Sequence, residues 1–279
     1  MRRLHGLVLF TALLALSAPS AAAPRMASGD LVKVRPSQMR PSQMYVGQME
    51  SNERHVDVWR ADAAKRGISL KKYAKTVLKK EYAKQRIQAD VAPDGSVMPG
   101  DAHHRIRALQ RVAELTGYQV KVRVEIDKNY KGWKLEDFAK DYVEKRGKGY
   151  FPPSFDKLTP VERLQRLPTT FVALKNSPMR SAMGSVYRKL EIEDVRFENY
   201  AEFKVGAWLV KHGLMKNLAK DGLVRPGTRT LTDALVRDDR VISVMEKTLR
   251  SDAGHAFLVH IAATNQREKL EKRLSASLD

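Results

Sequence analysis

The stretch Pro99-Gly100-Asp101-Ala102-His103-His104-Arg105, continuing Ile106-Arg107-Ala108-Leu109, decides how the rest of the chain reads. A Pro-Gly break precedes Asp101 and an amphipathic run follows it, so Asp101 is expected to be the N-cap of a helix. Ile106, Leu109, Val112 and Ala113 share one face of that helix, and Gly117 ends it. Two imidazoles and a guanidinium then occupy a first turn, where free N–H groups and the helix dipole favour an anion. Histidine exchanges protons near neutral pH, and arginine offers a two-pronged fork to phosphate or carboxylate. The same residues also suit a capped helix with an exposed basic start, and spacing alone does not separate the two.

On either side the elements alternate. Before the stretch, Ile87–Ala92 and Ser96–Met98 read as short strands around the turn Pro93-Asp94-Gly95. After it, Tyr118–Asp127 alternates, with Val120, Val122, Val124 and Ile126 on one face and Lys121, Arg123 and Glu125 on the other. This is the clearest strand in the sequence, and it is expected at the centre of a mixed sheet. Further back, Leu31, Val32 and Val34 suggest another strand, followed by the tetrad Arg-Pro-Ser-Gln twice, at 35–38 and 40–43. Glu53–Arg66 reads as a helix. Ser69 caps a second, with Leu70, Tyr73, Ala74, Val77 and Leu78 inward. Its outer face carries Lys71, Lys72, Lys75, Lys79, Lys80 and Lys84, either a solvated face or a track for a phosphate backbone.

Beyond residue 130 the pattern turns helical. Lys134–Arg146 is amphipathic, and Thr159-Pro160-Val161-Glu162 is a capping box with proline at the first helical position. Ser177-Pro178 opens another helix, and residues 214–279 read as mostly helical. Trp133 and Trp208 are expected in the core. The fold class is therefore α+β: a small mixed sheet-and-helix core to about residue 130, then a predominantly helical region with no sheet after residue 160.

Composition bounds the chemistry. The 279 residues contain no cysteine, which excludes disulfides, thiolate catalysis and cysteine-ligated metals. Lysine plus arginine number 51 against 32 acidic residues, a formal charge of +19 that favours an anionic partner such as a nucleotide, nucleic acid or acidic polymer. Residues 1–22 read as a cleavable signal peptide: Arg2-Arg3, an apolar run Leu7–Leu16, then small residues from Ala18. Its removal leaves 49 basic against 32 acidic residues, +17, and an exported protein, periplasmic or secreted; the alternative is an uncleaved N-terminal anchor. A metal is possible but poorly supported, and no metal ligand is assigned, because adjacent histidines on a helix point about 100° apart and cannot easily share one ion.

Three segments, in order, resemble the ParB-like putative nuclease family. Arg40-Pro41-Ser42-Gln43 with Val46-Gly47 is similar to its Arg-Pro-Thr-Gln…Val-Gly opening. Pro93-Asp94-Gly95 with Asp101-Ala102-His103-His104-Arg105 resembles its Pro-x-Gly…Asp-Gly-His-His segment. Leu167-Pro168 with Asn176-Ser177-Pro178-Met179-Arg180-Ser181 resembles its Leu-Pro…Asn-Asp-Pro-Tyr-Arg-Ser segment. Ala102 stands where the family has glycine. The resemblance implies a ParB/sulfiredoxin-like domain over residues 28–213, with 214–279 as a helical extension. It also implies a phosphate or nucleotide site where the turn enters the helix. His103 then stands at the sulfiredoxin cysteine position, Arg105 holds the phosphate, and Arg40 and Gln43 line the same pocket. His103 or His104 would be the general acid or base, and Asp101 would cap the helix or orient His104. No cofactor is specified. The alternative is a non-catalytic exported protein that binds an anionic polymer or a protein partner.

Overall fold

The computed structural model describes residues 26–152, 155–198 and 200–276; the expected signal peptide lies outside them. The described residues form six strands: β1 (Leu31–Val34), β2 (Tyr45–Val46), β3 (Ile87–Val91), β4 (Val97–Pro99), β5 (Val122–Asn129) and β6 (Lys175–Asn176). Four make one sheet in the order β1-β5-β3-β4, with β5 antiparallel to β1 and parallel to β3. The alternation read in the sequence is realised, because Val122, Val124 and Ile126 are buried while Arg123 and Glu125 remain partly open. The strand starts four residues later than expected. Val122 pairs with Val34, and beyond Val34 the partner chain turns away at Pro36 into a 3-10 turn, Pro36–Gln38, leaving residues 118–121 nothing to pair with.

Helices surround this sheet. α1 (Gln48–Ser51) runs through a π-helical stretch, Asn52–Asp57, into α2 (Val58–Lys65). A second rod comprises α3 (Leu70–Tyr73), a π-helical stretch Ala74–Leu78, and α4 (Lys79–Lys84), and Ser69 accepts the Lys72 N–H as its cap. α5 (His103–Thr116) buries Ile106, Leu109 and Val112 against the sheet core. α6 (Leu135–Ala139), α7 (Pro160–Gln165) and the loops between them close a smaller core around Met98, Tyr130, Phe138 and Tyr142. The Thr159/Glu162 capping box forms as the sequence indicates.

α8 (Pro178–Lys189), α9 (Ala201–Lys211), α10 (Leu214–Lys220), α11 (Asp239–Leu249), α12 (Asp252–Ile261) and α13 (Arg267–Ala276) share one further apolar core, reaching from Ala182 to Leu274. None of the described helices is long and apolar enough to cross a membrane. The molecule is thus α+β with a predominantly helical C-terminal region. Two expectations need correction. A short sheet does exist beyond residue 160, where β6 pairs in parallel with β2 and ties the helical region to the segment after the second tetrad. Trp133 is 40% exposed rather than in the core, with the Lys128 ammonium 5.0 Å from its ring.

Candidate functional site

The entrance to α5 is built by backbone strain, not by a side-chain cap. Asp101 is exposed and does not cap the helix; the N-cap is Ala102, at φ +67° and ψ 18°, and its carbonyl accepts the Ile106 N–H at 2.9 Å. An L-residue in this left-handed region costs roughly 1–2 kcal/mol, which accounts for glycine at this place in the family pattern.

Next to it, His103 is sealed in the core. The Ser42 N–H donates to His103 Nε2 at 3.1 Å, while the Ser42 hydroxyl donates to the Pro99 carbonyl at 2.7 Å. The imidazole is therefore an acceptor, neutral, with its pKa pushed down to about 4 by burial. It also lies against Phe171, ring centres 5.5 Å apart. Ser42 Oγ and His103 Nε2 are 3.1 Å apart, a nucleophile–base spacing, but Ser42 is wholly buried and reaches no solvent. The pair instead bolts the second tetrad to the helix. On the other side of Ser42, its carbonyl accepts the Tyr150 N–H at 3.0 Å, beside Gly149, whose φ of +83° a side chain would strain.

His104 faces the opposite way, toward α1 and α8. The Ser51 hydroxyl donates to its carbonyl at 2.9 Å. Its pKa lies well below the usual value, first through burial and then through the charges of Arg180, His103, His55 and Arg54. Arg180 comes from the third family-like segment. The Ser177 hydroxyl accepts its N–H, and its guanidinium pairs with Glu202 at 3.3 Å. One turn on, a Cβ at Gly184 would lie 2.1 Å from Arg54 Nη2, so this glycine makes room for the arginine against α8. Sequence reading missed Arg54, His55 and Gly184. The available signal was a glycine inside a helix, which needs a packing reason.

The other expected site residues disperse. Arg40 donates to the Leu164 carbonyl at 3.0 Å and lies 3.9 Å from Asp94. Gln43 is buried and donates to the Tyr45 carbonyl. Arg105 donates to Gln85 Oε1 at 3.0 Å, at the end of α4. Arg40, Gln43 and Arg105 are thus each tied to a different partner: the Leu164 carbonyl, the Tyr45 carbonyl and Gln85. Among the described residues no cluster of three or more histidines or carboxylates is arranged to hold a metal.

The lysine-rich rod borders a different feature, a groove of about 950 Å³. One wall is the rod; the other is β1, Arg35 and residues 117–121. Lys33, Arg35, Lys75, Lys79, Lys80 and Lys121 line it, all exposed, and no carboxylate does. None of the six forms an ion pair with a described residue. On the far flank of the rod a second hollow, of about 810 Å³, is lined by Arg66, Lys80, Glu81, Lys84 and Gln85, the residue that Arg105 grips.

The family model of the putative ParB-like nuclease matches residues 32–211, well over half of the chain. The chain belongs to that family. Membership supports a nucleic-acid-related function at the level of the family. No curated protein matches significantly. Among solved structures, the chain is similar to the crystal structure of protein Atu1540 from Agrobacterium tumefaciens at 15% identity and a TM-score of 0.54. The match covers 84% of this chain and 97% of that one. At this identity the likeness shows the fold alone. It takes in more of the chain than residues 32–211, so the likeness in fold extends beyond the family segment.

Proposed function

We propose that the protein binds nucleic acid by its phosphate backbone, along the groove between the lysine-rich rod and β1. One observation carries this: six exposed cations from three parts of the chain line a single concave surface that holds no carboxylate. Such a surface attracts polyanions and releases their counterions, so affinity falls as salt rises. A strand that neutralises about four of these charges loses roughly fiftyfold in affinity over a fourfold rise in salt. The test is fluorescence anisotropy of a labelled oligonucleotide across a salt series. Lys79→Glu with Lys80→Glu should weaken binding about tenfold or more and flatten the salt slope, with stability unchanged within about 0.5 kcal/mol. Unchanged binding by that variant overturns the reading.

A second reading, phosphodiester hydrolysis at the α5 entrance, is favoured by one specific feature. His104 is neutral at pH 7 and so can accept a proton, and Arg105 donates to Gln85, which lines the hollow beside the rod. In this reading His104 moves the proton and Arg105 holds the phosphate. His103 fixes the loop through Ser42, and Asp101, Arg40 and Gln43 belong to the supporting frame. His104→Ala should then abolish cleavage of a labelled DNA and spare its binding, whereas Arg105→Ala should weaken binding. Cleavage that survives His104→Ala removes this reading. Export belongs to the same proposal: the mature N-terminus should begin between Ala18 and Met26, and an intact Met1 on mature protein would overturn it.

A further inference from the structure

The groove contains one aromatic side chain whose place the charge argument leaves unused. Tyr118 follows Gly117, which turns the chain at φ +68°, and its N–H donates to the Thr116 hydroxyl. The ring is half-buried. It packs on the sheet core, and the ammonium of exposed Lys75 stands 5.7 Å from its centre. The rim beside it is fixed by the first Arg-Pro-Ser-Gln copy. The Arg35 N–H donates to Gln38 Oε1 at 3.1 Å, and the Ser37 hydroxyl donates to Gln119 Oε1 at 2.9 Å. The duplicated tetrad therefore has two uses: the second copy bolts the α5 entrance through Ser42, and the first holds one wall of the groove.

We infer that the groove takes single-stranded rather than double-stranded nucleic acid, with one base stacked on Tyr118. This rests on the groove reading above. A duplex keeps its bases paired and stacked, and has no free base face to lay on an aromatic ring. A single strand can turn a base onto the ring while its flanking phosphates meet Lys75, Lys79 and Lys121. Lys75 is exposed and loosely placed over the ring, so a base displaces it toward the next phosphate without breaking an ion pair. Stacking of this kind tolerates any base, so the preference is for strand state and not for sequence.

The test uses the full chain and three probes at one salt concentration: an oligothymidylate, a duplex of equal length, and heparin as a polyanion without bases. Tyr118→Leu should weaken the oligothymidylate about tenfold and leave duplex and heparin within about twofold, while Tyr118→Phe should bind like wild type. If Lys79→Glu/Lys80→Glu weakens all three probes but Tyr118→Leu leaves their ratios unchanged, the groove reading stands and the base-stacking inference falls. If the charge reversal changes none of them, the groove reading falls and takes the inference with it. Should Tyr118→Leu fail to fold, photocrosslinking of a bromouracil-substituted strand to wild type decides. A crosslinked peptide containing Tyr118 supports the inference, and crosslinks confined to other peptides overturn it.

Discussion

The α5 entrance and the lysine-lined groove are both rich in basic side chains, yet they use them in opposite ways. At the entrance the polar groups are consumed internally: Ser42 on His103, Arg40 on the Leu164 carbonyl, Arg105 on Gln85, Arg180 on Glu202. In the groove the cations are exposed and, among the described residues, have no partner of opposite charge. Conspicuous residues at the entrance are therefore tied into the fold, while the groove leaves its charges unspent, as the proposed binding requires. The practical consequence is a separation of phenotypes. Substitutions at His103 should change stability, whereas substitutions at Lys79 and Lys80 should change binding.

The sharpest way to break this contrast is His103→Ala. The change opens a cavity beside Phe171 and leaves the Ser42 N–H buried without an acceptor. Cavity and orphaned donor together should cost about 3 kcal/mol in urea denaturation. Oligonucleotide affinity, measured well below the denaturation midpoint, should be unchanged. Lost binding with intact stability would reverse the assignment of the two regions.

A second test uses pH. The folded pKa of His103, about 4, lies below the value near 6.5 of an unfolded histidine, so the unfolded chain binds the extra proton first as pH falls. The stability that neutral His103 contributes is fully present above pH 6.5 and is lost as pH drops toward 4, by about 3 kcal/mol. His104 and His55 are shifted in the same direction and steepen the loss. His103→Gln should flatten the profile in that window when denaturation midpoints are compared. A wild-type profile that is flat between pH 6.5 and 4 would mean that His103 is not sealed.

How much of this was legible in the sequence follows from the range of the interactions involved. The alternation of Val122, Val124 and Ile126, the Ser69 cap and the Thr159/Glu162 capping box are local patterns, and they appear in the fold nearly as read. The three family-like segments do converge, since Ser42, His103, His104 and Arg180 gather around the start of α5. The sequence could not say which way each side chain turns. Arg40 and Arg105 lie close to their motifs, yet their partners, Leu164 and Gln85, are set by packing over long separations. The groove was half visible as a lysine stripe. Its opposite wall, Lys33, Arg35 and Lys121, depends on the pairing of β1 with β5.

The smallest effect tests the geometry on which the entrance depends. In the interior of α5, Ala108→Gly should cost more than about 1 kcal/mol, because glycine loses more backbone freedom on folding and leaves a buried methyl-sized gap. Ala102→Gly sacrifices a buried methyl as well, and it too loosens the unfolded chain. It also relieves the left-handed strain at φ +67°, worth roughly 1–2 kcal/mol, so these contributions nearly cancel. The expected change is within about 0.5 kcal/mol of zero, well separated from the Ala108 control in the same urea measurement. If Ala102→Gly costs as much as Ala108→Gly, residue 102 is an ordinary helical residue. The helix would then begin a residue earlier, Asp101 would be free to cap it, and His104 would acquire the carboxylate neighbour that a catalytic entrance calls for.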